Sequence, residues 1–229
     1  MKSDVLETVE HSTGSPETGS VIWMHGLGAD GHDFEPIVPE LQVEGAALRF
    51  VFPHAPVRPV TINGGSPMRA WFDVLSLERS SEQDETGIRE SEEQVRALIR
   101  RENERGVPTE KILLAGFSQG GAVALHTGLR YPERLAGLIG LSTYLPLHGT
   151  VDAEAQSVNR ETPVFMAHGT EDPLVAPTLG DGTREFLTDR GYSVEWHTYP
   201  MAHAVCIEEV AQIRSWISGV FSARSPSTS

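Results

Sequence analysis

Cysteine is almost absent from this sequence: Cys206 is the only one in 229 residues, so no disulfide can close within the chain. Small scaffolds held together by disulfides are thereby excluded. Basic residues are scarce as well. The chain has 18 Lys and Arg against 32 Asp and Glu, a formal charge of −14 that repels phosphate backbones and anionic lipid surfaces. Nucleic acid is therefore not an expected partner. No apolar run approaches the roughly 20 residues that a bilayer-spanning helix requires. Met1 to Glu10 also lacks the basic start and apolar core of a secretory signal. The expectation is a soluble, cytoplasmic protein with no stable membrane insertion. At this length one domain with a substantial core is expected over 1–221, followed by a Ser/Pro-rich flexible tail at 222–229.

What the chain does have is alternation. Short apolar, β-favouring runs recur at Val21–Met24, Arg49–Phe52, Ile112–Ala115, Leu138–Leu141, Val164–Ala167 and Val194–His197. Between and after them lie stretches with helical spacing: Ile88 to Asn103, Gln119 to Arg130, Thr183 to Arg190 and Ile207 to Phe221. This pattern predicts an α/β architecture, a mainly parallel central sheet flanked by helices on both faces. Two stretches fit neither period, residues 54–86 and 143–162. The first carries Ile62, Met68, Trp71, Phe72, Leu75 and Leu77, too apolar for simple disorder, and is read as the wall of an apolar substrate cleft or as a loop packed on the core.

The chemistry centres on Gly116-Phe117-Ser118-Gln119-Gly120-Gly121, which follows a strand and opens a helix. A G-x-S-x-G segment in that setting puts the serine on a sharp, strained turn, with the glycines leaving room for close backbone approach. The positive end of the following helix favours the negative oxygen that forms when a carbonyl is attacked. Ser118 is thus the candidate nucleophile. A serine hydroxyl needs a base, and the base needs an orienting acid. His203 lies just past the strand ending near Tyr199, and Asp172 just past Ala167, both where open α/β sheets place ligands. His168 and His197 compete as base, but one precedes the acid and the other sits within a strand. Glu171 remains open as an alternative acid. The glycine-rich turn His25 to Gly31 offers a backbone N–H, expected from Leu27, to complete an oxyanion hole with the N–H of Gln119. His25 is read as a brace for that loop, not a catalyst.

Other readings are weaker. Cys206 is most simply a small apolar residue. His25, Asp30, His32 and Asp33 lie close together, but their spacing matches no common zinc pattern, so no metal is expected. Neither a lysine-serine phosphate loop nor a dinucleotide fingerprint is present, and no cofactor is expected.

Beyond these chemical features, the chain resembles the phospholipase/carboxylesterase family, the bacterial carboxylesterases and acyl-protein thioesterases. The likeness rests on His25 to Gly31, Pro59 to Gly65, Ala70-Trp71-Phe72-Asp73, Gly116 to Gly121, Leu141 to Tyr144 and Tyr199 to His203. It implies a minimal α/β-hydrolase fold with little or no lid. It also implies the triad Ser118, Asp172 and His203, with Asp172 preferred over Glu171, and oxyanion donors at Leu27 and Gln119. The activity implied is hydrolysis of short- to medium-chain acyl esters through an acyl-enzyme at Ser118. Acyl-protein thioesterase or lysophospholipase is the alternative, and a catalytically silent binding module the second. The substrate would be a small acyl ester or an acylated protein, and a homodimer is an arrangement found among relatives. One departure stands out: Ala202 and Ala204 flank the histidine where bacterial relatives often carry glycine and a polar residue.

Overall fold

The computed structural model describes residues 5–75 and 82–222. Its strands are β1 (Thr8–Ser12), β2 (Gly19–Met24), β3 (Leu48–Pro53), β4 (Val57–Val60), β5 (Ser66–Arg69), β6 (Ile112–Phe117), β7 (Gly137–Leu141), β8 (Val164–Gly169) and β9 (Val194–Tyr199). The helices are α1 (Glu85–Glu104), α2 (Gln119–Arg130), the one-turn α3 (Val151–Glu154), α4 (Pro177–Asp189) and α5 (Ile207–Ser222). Seven strands form one sheet in the order β1-β3-β2-β6-β7-β8-β9, parallel throughout except for β1 at the edge. This is the expected α/β-hydrolase architecture.

Period-two alternation decides which side of the sheet each side chain enters. Ile22 and Met24 of β2, with Ile112 and Leu114 of β6, join a core layer closed by Ile88, Val95, Leu98 and Ile99 of α1 and the apolar face of α2. Val21, Trp23, Leu113 and Ala115 face the other way, onto Val38 and Leu41 and onto Ile213, Ile217 and Phe221 of α5. Helices thus cover both faces. After β2 the chain builds β3 on one side, and later β6 on the other, so the order reverses at the β2–β6 seam. Open sheets bind ligands outside the carboxyl ends of strands at such a point.

Two elements were not legible in the sequence, and two local expectations are revised. The edge strand β1 was not legible, because Thr-Val-Glu-His-Ser is polar and largely exposed. The segment Glu35–Leu41 is a 3₁₀ helix, since Pro39 inside it lacks the amide hydrogen that an α-helix would use there, whereas Pro36 sits in the first turn where no such bond forms. Helix α4 starts at Pro177 and not at Thr183. Gly180 in its first turn reads as a helix breaker, but a Cβ there would lie 2.4 Å from His168 Nδ1. Finally, 54–86 is not wholly irregular: β4 and β5 form an antiparallel ribbon, turned through Gly64 and Gly65 at φ 66° and 77°, and α1 already begins at Glu85 with Asp84 capping Gly87 N at 2.9 Å. Leu77 lies outside the described residues. So does the expected tail, apart from Ser222, which closes α5.

Among the described residues no helix is long and apolar enough to cross a membrane.

Candidate active site

Ser118 stands between β6 and α2 at φ 55°, ψ −121°, a conformation that L residues avoid and that costs on the order of 1–3 kcal/mol. The surroundings impose it. A Cβ on Gly116 would come within 2.3 Å of the Gly120 carbonyl, and one on Gly120 within 2.3 Å of Met24 O and 2.5 Å of His25 O. Only glycines let β6, α2 and the end of β2 approach so closely. The turn is then pinned: Ser118 N donates to Leu141 O at 2.8 Å, and Thr143 Oγ1 donates to Ser118 O at 2.7 Å. Gln119 is the first residue of α2, so its N–H has no helical carbonyl partner and joins the positive end of the helix.

The loops after β8 and β9 bring Asp172 and His203 together. His203 Nδ1 lies 2.7 Å from Asp172 Oδ2. A carboxylate only accepts, so Nδ1 carries the proton and Nε2 is left able to accept one. Asp172 is buried and held in turn, with Oδ1 accepting the N–H groups of Leu174 and Val175, both at 2.9 Å. Gly169 lets the two loops touch, since a Cβ there would meet Met201 O and Ala202 O at 2.3 Å. The Phe117 ring packs on the His203 imidazole at 4.7 Å between centroids.

The competitors are held otherwise. Glu171 is exposed. His197 pairs with Glu195 at 2.8 Å on the surface of β9. His168 is buried and donates Nε2–H to Val175 O at 2.9 Å; burial holds its imidazole below the usual range and hence neutral. His25 braces its loop: Nδ1 donates to Gly26 O at 2.7 Å and Nε2 accepts Ala55 N–H at 3.0 Å, while burial again lowers its basicity. Cys206 is half-buried at the start of α5. Among the described residues no three His, Cys, Asp or Glu side chains converge as metal ligands do.

Ser118 and His203 open onto one cavity of roughly 580 Å³, which Leu27 and Gln119 also line. Ile62, Phe72 and Leu75 form part of its wall. Met68 and Trp71 do not, and their expected role is corrected. Met68 packs under the β4–β5 turn against Asn63, and Trp71 is fully buried, its indole held by a backbone carbonyl. The remaining apolar wall, including Val74, Tyr144, Leu145, Leu179 and Phe186, was missed as a set. Tyr144 and Leu145 lay in the second irregular segment; Leu179 fell before the expected start of α4, and Phe186 lay within the expected helix but was not assigned to the cavity.

Behind the His203 loop, Glu209 of α5 is fully buried, and desolvation pushes its carboxyl up to about 8, offset only in part by the Cys206 N–H. Below the usual carboxyl value of 4.5 the group is protonated whether the chain is folded or not; between 4.5 and about 8 the unfolded chain releases a proton that the folded chain keeps. Glu209 therefore contributes a fall in stability through that window, on the order of 1 kcal/mol per pH unit, set against the opposite contribution of His25, His126 and His168, whose basicity burial lowers. Glu209→Gln should flatten the fall, as read from melting temperatures at stepped pH. Parallel curves for the two proteins would refute the assignment.

The family described as Phospholipase/Carboxylesterase matches residues 7–221. Acyl-protein thioesterase 1 of Neurospora crassa is 39% identical over 211 residues, covering 88% of this chain and 86% of its own. Its namesake in Mycosarcoma maydis is 36% identical over 238 residues, covering 96% and 99%. Among solved structures, Arabidopsis thaliana SOBER1 superposes with a TM-score of 0.84 at 33% identity, over 89% of this chain and 99% of that one. Zea mays acyl-protein thioesterase 2 gives 0.80 at 25% identity, over 93% and 98%.

Proposed function

The chain belongs to the phospholipase/carboxylesterase family, and from that premise we propose that it hydrolyses acyl thioesters on protein cysteines, with oxygen esters of short to medium acyl chains as further substrates. The observation that carries this reading is the convergence of Ser118 and an Asp172-paired His203 on one largely apolar cavity. Four relatives named acyl-protein thioesterase 1, at 34–39% identity, move the weight from simple carboxylesterase toward thioesters.

The acyl chain lies along the apolar wall, with its carbonyl carbon at Ser118. His203 Nε2 takes the hydroxyl proton as Oγ bonds to that carbon. The N–H groups of Leu27 and Gln119 hold the oxygen that becomes negative, and Asp172 stabilises the imidazolium. The tetrahedral adduct collapses, the C–S bond breaks, and His203 returns the proton to the departing cysteine sulfur. Water then repeats the sequence on the acyl-enzyme and releases the acid.

The discriminating experiment is a matched pair of peptides carrying the same acyl group on cysteine or on serine. The thioester should be cleaved with the higher kcat/KM. Equal or better cleavage of the oxygen ester, with an optimum at acetate or butyrate, would return the assignment to carboxylesterase. Filling the cavity should shorten the preferred chain: Leu179→Trp is expected to cost about fourfold in kcat/KM for each methylene no longer accommodated. Acetyl substrate should be spared in a p-nitrophenyl ester series. A uniform loss across the series would remove Leu179 from the acyl wall.

A further inference from the structure

We propose that Trp71 and the Gln119 side chain are positioning residues for the oxyanion hole, a brace that fixes its two donors relative to each other. This inference rests on the serine-hydrolase reading above. The two donors come from separate loops, one after β2 and one after β6, so their spacing is not set by a single turn. Stabilising a developing charge requires donors held within a few tenths of an ångström of fixed positions. Something must join the loops.

Trp71 lies across the seam. Its indole Nε1–H donates to His25 O at 3.0 Å, two residues before Leu27. Its backbone N–H donates to Gln119 Oε1 at 2.8 Å, while Gln119 Nε2 donates back to Phe72 O at 2.7 Å. Its carbonyl accepts Ser91 Oγ–H from α1, so every polar atom of Trp71 is used. The chain of bonds continues from His25 Nε2 to Ala55 N–H, and the His25 ring lies 5.5 Å from the indole. The brace therefore grips the residue that supplies one donor and the strand end that leads to the other.

Both side chains are buried, Trp71 completely and Gln119 to 5% exposure. A fully satisfied buried network of this kind is rigid. An apolar side chain would fill the same volume; the polar groups add direction. The geometry accounts for a tryptophan that belongs to the irregular segment yet avoids the substrate cavity.

The test uses the full chain, p-nitrophenyl butyrate as substrate, and a p-nitrophenyl phosphonate to count active sites. Trp71→Phe removes the bond to His25 O together with the pyrrole half of the buried indole, so the melting temperature should fall; kcat per titrated site should also fall about tenfold with KM unchanged, a loss that a purely structural role, which lowers only the number of titratable sites, would not produce. Gln119→Met, which cuts both backbone bonds, should fall further. A Trp71→Phe kcat within twofold of wild type, or a loss explained by fewer titratable sites, would overturn the brace while Ser118→Ala remained inactive. If Ser118→Ala itself turned over at the wild-type rate, the serine reading would fall and the brace with it.

Discussion

Ser118→Ala is expected to lower kcat by at least about 10⁴-fold while leaving the fold intact. The loss is large because the reaction is carried by the one hydroxyl held on the turn that shares the cavity with His203; Cys206 sits at the start of α5 and is not among the described residues lining that space. The fold should survive because the turn is set by its neighbours. Gly116, Gly120, the Leu141 carbonyl and the Thr143 hydroxyl hold the backbone, and none of them uses the Ser118 side chain. Alanine at φ 55° carries the same backbone strain as serine, so the melting temperature should move little. Turnover of p-nitrophenyl butyrate and a thermal melt, measured on the same preparation, check both halves. A folded variant retaining a tenth of wild-type kcat would contradict the assignment.

Asp172→Asn should cost about 10³- to 10⁴-fold in kcat with little change in shape. Two N–H groups already point at Oδ1, so an asparagine would keep its carbonyl there and turn its amide toward His203. His203 Nδ1 would then have to accept, which moves the ring proton to Nε2. In that tautomer the imidazole cannot take the serine proton. His168 Nε2, 3.4 Å from Oδ2, would also face an amide where it now meets a carboxylate. The neighbouring Glu171→Gln is the control: that side chain is exposed, and kcat should stay within about twofold. A large loss in the control with none in Asp172→Asn would exchange the two carboxylates.

The parts of this architecture that were legible in the sequence are those where burial on both faces forces an unbroken apolar run. All six predicted strands are parallel members of the sheet, and β2 is buried along its whole length; the edge strand β9 is the exception, half-buried and carrying Glu195 and His197, and was legible from its Val, Trp and Tyr. The Ser118 turn was legible for a related reason. Glycines at 116, 120 and 121 mark where backbones nearly touch, and such contacts leave no choice of residue. Order along the chain then pointed to Asp172 and His203, whose 2.7 Å contact no spacing rule could supply. What escaped notice depends on long-range packing. β1 is specified by its register with β3 and not by its own apolar content. The start of α4 was hidden by Gly180, which exists to make room for His168. Trp71 was read as a cleft residue because its size and segment suggested it. Only its partners at His25 and Gln119 show that it faces the seam.

The central claim is that acyl transfer passes through Ser118. Its most direct test is to mix the protein with a peptide acylated on cysteine, quench within the first turnovers, and locate the acyl group by mass spectrometry of the digested chain. The account predicts the acyl mass on the peptide containing Ser118, appearing before steady state and absent from Ser118→Ala. Acyl mass on another residue, or continued hydrolysis with none on Ser118, would contradict it.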